Sequence, residues 1–485
     1  MIRIQRVSLS IIMLLGAVGA VAGSEKPPNV VIILADDMGY GDLSCYGATR
    51  IATPHLDRLA ADGRRFTDAH APGAVCVPSR YGLMTGRYPF RVANMSTRNG
   101  PVIEDGRMTI ASLLQDNGYT TAMIGKWHLG FDGGNDFDYA QPLRGGPTDR
   151  GFDSFFGIPA STDIPPYFYI RNDRVVTAPS VPIEENYSPG WTRRPVQGAF
   201  WRAGVIAPDM KLEEVMPAFT REAISWIERH GKAGSSNPFF LYVAFSAPHT
   251  PWLPEPRFRG RSGASLYGDF VMQVDDSVGA ILKSLSRAGF EKDTLVIFSS
   301  DNGPVWLPTD RVRFGHSSAG IYRGMKGDAW EGGHRVPFIA RWPGRITPGK
   351  VNPETISLVD LLATFAALVA KELPEKAGED SFNLMPLLLE SDSRFSREAT
   401  IALSSGGTPT IRQGDWKLIP ELGSRGLSEP RALEPEPNGP TGQLYNLGTD
   451  PSEARNIWQE HPEVVARLTT LLQTYQQRGR SRPID

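Results

Sequence analysis

The residues able to do chemistry fall in a handful of short clusters. Asp36-Asp37 and Asp301-Asn302-Gly303 offer carboxylate and amide oxygens, a hard donor set that suits Ca²⁺ or Mg²⁺ rather than the nitrogen and sulfur taken by structural zinc. One Asp-Asp after an apolar run is a weak signal, because aspartate is common in turns. A second oxygen-donor pair, Asp301-Asn302, ending another apolar run makes a shared metal site the stronger reading. Cys76-Val77-Pro78-Ser79-Arg80 puts a cysteine at a helix start, with Pro78 in the first turn; free backbone N–H groups and the positive dipole end favour an anion there. The residues alone leave a reactive thiolate or a disulfide to Cys45 open. Lys126-Trp127-His128 and His249 add a cation and two titratable rings.

Four apolar runs must position these groups. Val30 to Ala35 runs into Asp36, Tyr119 to Gly125 into Lys126, Phe239 to Phe245 toward His249, and Leu295 to Phe298 toward Asp301. Uninterrupted apolar runs suit strands buried on both faces. Helical patterns separate them at residues 54–64, 109–116, 213–230 and 266–287, with another at 357–370. The expected fold is α/β: a large mixed, mostly parallel sheet sandwiched by helices. Ligands of open α/β sheets bind at the carboxyl ends of the strands, so the polar clusters should converge on one edge. Composition shifts near residues 374–380, which places a catalytic domain at 23–375 and a smaller C-terminal α+β subdomain at 376–485, with antiparallel strands and a terminal helix. Residues 130–210, rich in Pro, Gly and aromatics, form a candidate substrate wall.

Composition narrows the function. Among 485 residues, 51 Lys and Arg face 53 Asp and Glu, a net −2, which argues against a protein that coats nucleic acid or anionic membrane. Gly and Pro number 50 and 40, well above the ~12% of average chains, so long ordered loops are expected. Arg3 and Arg6 precede an apolar stretch ending at Ala20-Val21-Ala22. This reads as a signal peptide over residues 1–22, too short an apolar run for a membrane anchor. The mature protein is expected to be secreted or periplasmic, yet it carries only Cys45 and Cys76, too few for a disulfide scaffold.

Cys76-Val77-Pro78-Ser79-Arg80, followed by Thr85-Gly86-Arg87, resembles the signature of the type I sulfatases, and the likeness extends from Asn29 to Pro451; it implies an alkaline-phosphatase-like form of the expected sheet. The resemblance implies that a maturation enzyme oxidises Cys76 to formylglycine, whose hydrate attacks sulfur and releases sulfate by losing its second proton. It implies a metal, usually calcium with magnesium as the alternative, held by Asp36, Asp37, Asp301, Asn302 and residue 76. Arg80 would fix the hydrated aldehyde and Lys126 a sulfate oxygen. His128 would assist sulfate release, while His249 and Lys326 would serve the bridging side of the ester, either one delivering the leaving-group proton.

The leaving group is less legible. Aromatic residues in predicted loops (Trp191, Trp201, Trp252, Trp306, Tyr167, Tyr169) can pack on a sugar face. Arg171, Arg174, Arg193 and Arg194 can hold anionic groups of a polymer, and His316 can line the pocket. Export and long loops favour a sulfated carbohydrate of galactose or hexosamine type. The alternatives are a phosphonate monoester or phosphodiester hydrolase using the same nucleophile, and a non-catalytic glycan-binding relative.

Overall fold

The computed structural model describes residues 27–134, 136–187, 198–389, 395 and 397–483. The proposed signal peptide and the loop residues Trp191, Arg193 and Arg194 lie outside that set.

The large sheet contains β1 (Asn29–Asp36), β2 (Arg64–His70), β3 (Thr120–Lys126), β4 (Ser154–Ile158), β5 (Ile170–Arg171) and β6 (Arg174–Val175). A separate ribbon pairs β7 (Val181–Ile183) with β8 (Gly204–Ile206). The large sheet then resumes with β9 (Phe239–Pro248), β10 (Thr294–Ser300), β11 (Arg335–Arg341) and β12 (Lys350–Ser357). Its strand order is β12-β2-β11-β10-β1-β9-β3-β4-β5-β6. The four apolar runs of the sequence are β1, β3, β9 and β10, and they occupy adjacent central places, all parallel. Every residue of β1, β9 and β10 is buried, as an uninterrupted apolar run requires.

The helices are α1 (Pro54–Ala61), α2 (Cys76–Thr85), α3 (Ile110–Asp116), α4 (Val215–Lys232), α5 (Ser265–Arg287), α6 (Pro308–Phe314), α7 (Glu331–His334), α8 (Leu361–Leu368), α9 (Met385–Leu389) and α10 (Pro462–Arg478). Successive strand residues point to opposite faces of a sheet. In β9, Phe239 packs on Trp226 of α4 with ring centroids 5.4 Å apart, and Phe240 meets Phe365 of α8 at 6.4 Å. The sheet is therefore covered on both sides.

Strands β2, β11 and β12 extend the sheet past the runs visible in the sequence. The segment Arg-Arg-Phe-Thr-Asp-Ala-His of β2 does not read as an apolar strand, because its charged residues are buried against partners. Asp68 meets Arg335 at 2.9 Å and Arg412 at 2.7 Å. Lys417 meets Glu331 at 3.0 Å and Glu453 at 2.9 Å. His70, Glu331 and His334 converge here closely enough to suggest a metal, but the ring nitrogens as well as the carboxylates are engaged: His70 lies 2.8 Å from Asp68 and 3.0 Å from His334, whose other nitrogen lies 3.2 Å from Lys417 Nζ. The cluster is an ionic clamp.

Across that clamp sits a smaller antiparallel sheet of β13 (Thr400–Leu403), β14 (Pro409–Gln413), β15 (Trp416–Ile419) and β16 (Gln443–Asn446). Helix α10 buries Val464, Leu468, Leu472 and Tyr475, one face at helical spacing, in a cluster with Ile411, Leu418 and Leu444.

Gly125 shows how tightly the central strands meet. It has φ +122°, and a Cβ there would lie 1.8 Å from the Ala244 carbonyl oxygen. Gly118 also has positive φ but open space around it. Gly125→Ala is expected to lose about 3 kcal/mol or more through clash and strain, and Gly118→Ala only about 1–2 kcal/mol. Urea unfolding of the two variants checks the contrast, and equal losses would refute it.

Candidate active site

The polar clusters meet at the carboxyl edge of β1, β3, β9 and β10. Asp36 ends β1, and Asp37 follows in a left-handed conformation, φ +62°, uncommon for a residue with a Cβ. That turn lets the Asp37 N–H donate to Asp301 Oδ1 at 3.1 Å. Asn302 Nδ2 donates to Asp37 Oδ1 at 2.7 Å. Gly303 must be glycine, since a Cβ there would sit 1.9 Å from the Gly332 carbonyl oxygen.

Helix α2 brings the other half. Cys76 is its first residue, and Gly86 ends it in a left-handed conformation, φ +64°. Ser79 Oγ donates to the Gly73 carbonyl at 2.5 Å, securing the loop before the cysteine. One turn beyond Cys76, Arg80 donates through Nε to Asp301 Oδ2 at 3.0 Å and through Nη1 to the Lys126 carbonyl at 3.0 Å. Lys126 Nζ lies 2.6 Å from Asp36 Oδ2. Lys326 Nζ lies 2.7 Å from Asp37 Oδ1 and 3.5 Å from Cys76 Sγ. Cys76 Sγ itself lies 3.4 Å from Asp36 Oδ1.

Each buried carboxylate thus has a permanent cation. Burial works against ionising Asp36, but Lys126, His249, Arg80 and Lys326 together hold its carboxyl well below the usual range. Asp301 goes the other way, raised by burial and by the neighbouring Asp36 charge. Burial pushes the Cys76 thiol far up despite Lys126 and Lys326, so at neutral pH it is not a thiolate. Burial, then Lys126 and Arg80, lower His128 well below its ordinary value, which keeps the ring neutral, and its Nδ1 is buried without a hydrogen-bond partner.

A metal would fit. Asn302 Oδ1 is buried without a hydrogen-bond partner, a cost that an oxygen-seeking cation removes. Asp36, Asp37 and Asp301 stand around it, and Asp36, Asp37, Cys76 and His249 bring ligand atoms within 4.8 Å of one another. A cavity of about 440 Å³ opens over Cys76, Lys326, His128 and His249. His249 Nδ1 lies 2.6 Å from the Thr250 carbonyl, so Nδ1 carries a proton and Nε2 faces Asp37 at 3.6 Å.

A family model described as Sulfatase matches residues 28–371. The chain belongs to the sulfatase family. It is 37% identical to an N-acetylgalactosamine-6-O-sulfatase of Bacteroides thetaiotaomicron over 94% of each chain. It is 38% identical to human arylsulfatase A, over 94% of this chain and 89% of that one. A solved structure from work on glycosaminoglycan metabolism by Bacteroides thetaiotaomicron superposes with TM-score 0.80 at 35% identity, over 93% of this chain and all of the other. This sulfatase is accordingly a sulfuric ester hydrolase.

The substrate residues expected from sequence do not line the sulfatase cavity. His316 is buried, its Nε2 2.7 Å from Asp42 Oδ1. Trp252, 3% exposed, packs in an internal cluster with Tyr267 and Trp306. Arg171 lies over Phe156 and pairs with Glu222 at 3.1 Å, and Arg174 donates to the Ala140 carbonyl at 3.2 Å. Loop residues of these types looked available only because their tertiary partners are remote in sequence.

Ser161, Asp163, Ile164 and Arg202 line the cavity instead. They come from the Pro/Gly-rich wall, the first three just after β4. The signal was the short run Phe155-Phe156-Gly157-Ile158, interrupted by glycine, ahead of Ser161-Thr162-Asp163.

Burial raises both thiols, Cys45 to about 12 and Cys76 further. Protein whose Cys76 is unmodified should therefore react slowly with a disulfide reagent at pH 8 when native, and rapidly at both sites in denaturant. A fast native thiol would contradict the burial argument.

Proposed function

We propose that this sulfatase is an exported carbohydrate sulfatase in which Cys76 is converted to formylglycine. The supporting observation is the cysteine's setting. It starts a helix, lies 3.4 Å from Asp36 and 3.5 Å from Lys326, and is held un-ionised by burial, which disables it as a thiolate nucleophile. The hydrate of an aldehyde at this position would supply a nucleophilic hydroxyl and a second hydroxyl whose deprotonation expels sulfate. A calcium ion, with magnesium as the alternative, would be held by Asp36, Asp37, Asp301, Asn302 and residue 76, and would neutralise charge on the sulfate oxygens.

The remaining roles belong to this chain's own side chains. Arg80, bonded to Asp301 and to the Lys126 backbone, orients residue 76. Lys126 and Lys326, both kept charged by buried aspartates, face the sulfate from two sides. Neutral His128 accepts a proton when sulfate leaves. His249, with Nδ1 occupied by the Thr250 carbonyl, presents Nε2 to the bridging oxygen, and either the doubly protonated His249 ring, from Nε2, or Lys326 delivers the proton to the departing alkoxide. A sugar leaving group is supported by relatives described as an N-acetylgalactosamine-6-O-sulfatase and an N-acetylgalactosamine-6-sulfatase. Export after a signal peptide of residues 1–22 and a division into residues 23–375 and 376–485 complete the proposal. Among the described residues, no helix is long and apolar enough to cross a membrane.

Mass spectrometry of the tryptic peptide covering residues 66–80 tests the modification, and the peptide should be about 18 Da lighter than the thiol form. Cys76→Ala should abolish sulfate release, read by ion chromatography, while leaving thermal unfolding within a few degrees. An unmodified thiol in exported native protein, or full activity in the variant, would overturn the proposal, as would a strong preference for an aryl phosphonate over a sulfated sugar.

Chelation should lower the unfolding temperature and added calcium restore it, because Asn302 Oδ1 regains a partner. Asp301→Asn should remove that response. An unfolding temperature indifferent to both treatments would argue against the metal.

A further inference from the structure

Beside the cavity over Cys76 lies a second, of about 380 Å³. The two share His128, Ile164 and Arg202 as lining residues, so they are adjoining chambers of one cleft with Arg202 at the junction. The second chamber is walled by Phe131, Phe137, Pro159, Pro165 and Pro166, flat apolar faces of the kind that pack against pyranose rings. No carboxylate among the described residues lines it, whereas Arg98 and Arg202 both do.

The two arginines are presented differently. Arg202 is anchored: Nη1 donates to Asp163 Oδ2 at 2.6 Å and to the Asp163 carbonyl at 3.0 Å, and the side chain is still 49% exposed. Among the described residues, its Nε and Nη2 have no hydrogen-bond partner, so one edge of the guanidinium fork is held and the other is open. Arg98 is exposed on the far rim and makes no hydrogen bond or ion pair among the described residues. Gly134 has φ +67°, and a Cβ there would sit 2.0 Å from the Arg98 carbonyl oxygen, which sets the rim close against the wall. A chamber with apolar walls, the unpaired charge of Arg98 and the open edge of an arginine held on its other edge by Asp163, next to the sulfate site, fits an anion carried on a ring adjacent to the reacting sugar.

Resting on the carbohydrate reading above, we infer that the second chamber is a subsite for an acidic neighbouring sugar, whose carboxylate or sulfate is bound by Arg98 and Arg202. The enzyme then acts on units of an acidic chain rather than on free monosaccharides. A hexuronate carboxylate and a second sulfate present the same chemistry, and the choice of substrates separates them.

The experiment measures kcat/KM for a sulfated hexosamine linked to hexuronate, for its carboxyl-reduced form, for a disaccharide with a second sulfate on a neutral neighbour, and for the sulfated monosaccharide. Wild type should prefer at least one anionic disaccharide over the carboxyl-reduced one by about tenfold, mainly through KM. Whichever anion gives the preference names the source. Arg98→Glu, at an exposed position without partners, should fold normally and bring that ratio close to one. Sulfate release from the monosaccharide with no preference among the disaccharides overturns the subsite and leaves the proposed function standing. Calorimetric titration with the sulfate-free hexuronate and sulfated-neighbour disaccharides needs no turnover. Binding of either that weakens about tenfold in Arg98→Glu supports the subsite even if the reaction has been misassigned, and equal binding of both to the two proteins overturns it.

Discussion

Three buried aspartates at the ends of parallel strands are matched by three permanent cations, Lys126 and Arg80 buried and Lys326 partly so, and the surrounding architecture answers to that constraint. Asp36 pairs with Lys126, Asp37 with Lys326 and Asp301 with Arg80. Taking so many charges out of water is tolerable only when each is matched and hydrogen-bonded, and removing one partner of a buried pair costs about 3–5 kcal/mol. These charges cancel before anything binds. A divalent cation then leaves the cradle net positive, the sign an anionic ester needs. Stability and function are coupled through the same residues, since the cations that make the carboxylates bearable are those that would hold sulfate.

The small C-terminal sheet takes part in this arrangement from outside. Leu403 of β13 donates to the Pro72 carbonyl and accepts from the Ala74 N–H, at 3.0 and 2.8 Å. Gly327 donates to the Ala74 carbonyl at 2.7 Å and accepts from the Ser405 N–H at 2.9 Å. The loop ahead of Cys76 and the loop carrying Lys326 are thereby stitched to one strand end. The clamp of Asp68, Glu331, Arg335, Arg412 and Lys417 holds that sheet against the edge of the large one. Gly333, within the same turn as Glu331, accepts from the Gly303 N–H at 2.9 Å. The clamp therefore also braces the backbone next to Asn302.

The cleft divides its labour by chain segment. The groups proposed to meet sulfate come from strand ends, the start of α2 and the loop carrying Lys326. Groups able to meet the rest of the substrate come from the wall around Ser161–Arg202 and the rim near Arg98. Loops of this kind vary without disturbing a core, and the chain's relatives include both a steryl-sulfatase and an N-acetylgalactosamine-6-O-sulfatase.

The four central strands, the helices between them and the convergence of Asp36, Asp37, Lys126, His249 and Asp301 were readable from the amino-acid order, whereas Cys76, at a helix start, was joined to them only by the resemblance of its motif. Uninterrupted apolar runs can be buried only as central strands, and parallel strands bring their carboxyl ends to one edge. Strand β2 was not readable, because Arg64, Asp68 and His70 are buried against partners that arrive from far along the chain. The same reason explains the substrate residues. Trp252, His316 and Arg171 carry the right chemistry, but Tyr267, Asp42 and Glu222 consume it. Asp163, Arg202 and Arg98 look no different in sequence, yet they border open space. Local order specifies which groups exist and which strand ends they follow, whereas exposure depends on neighbours tens to hundreds of residues away, and only the packed chain decides that.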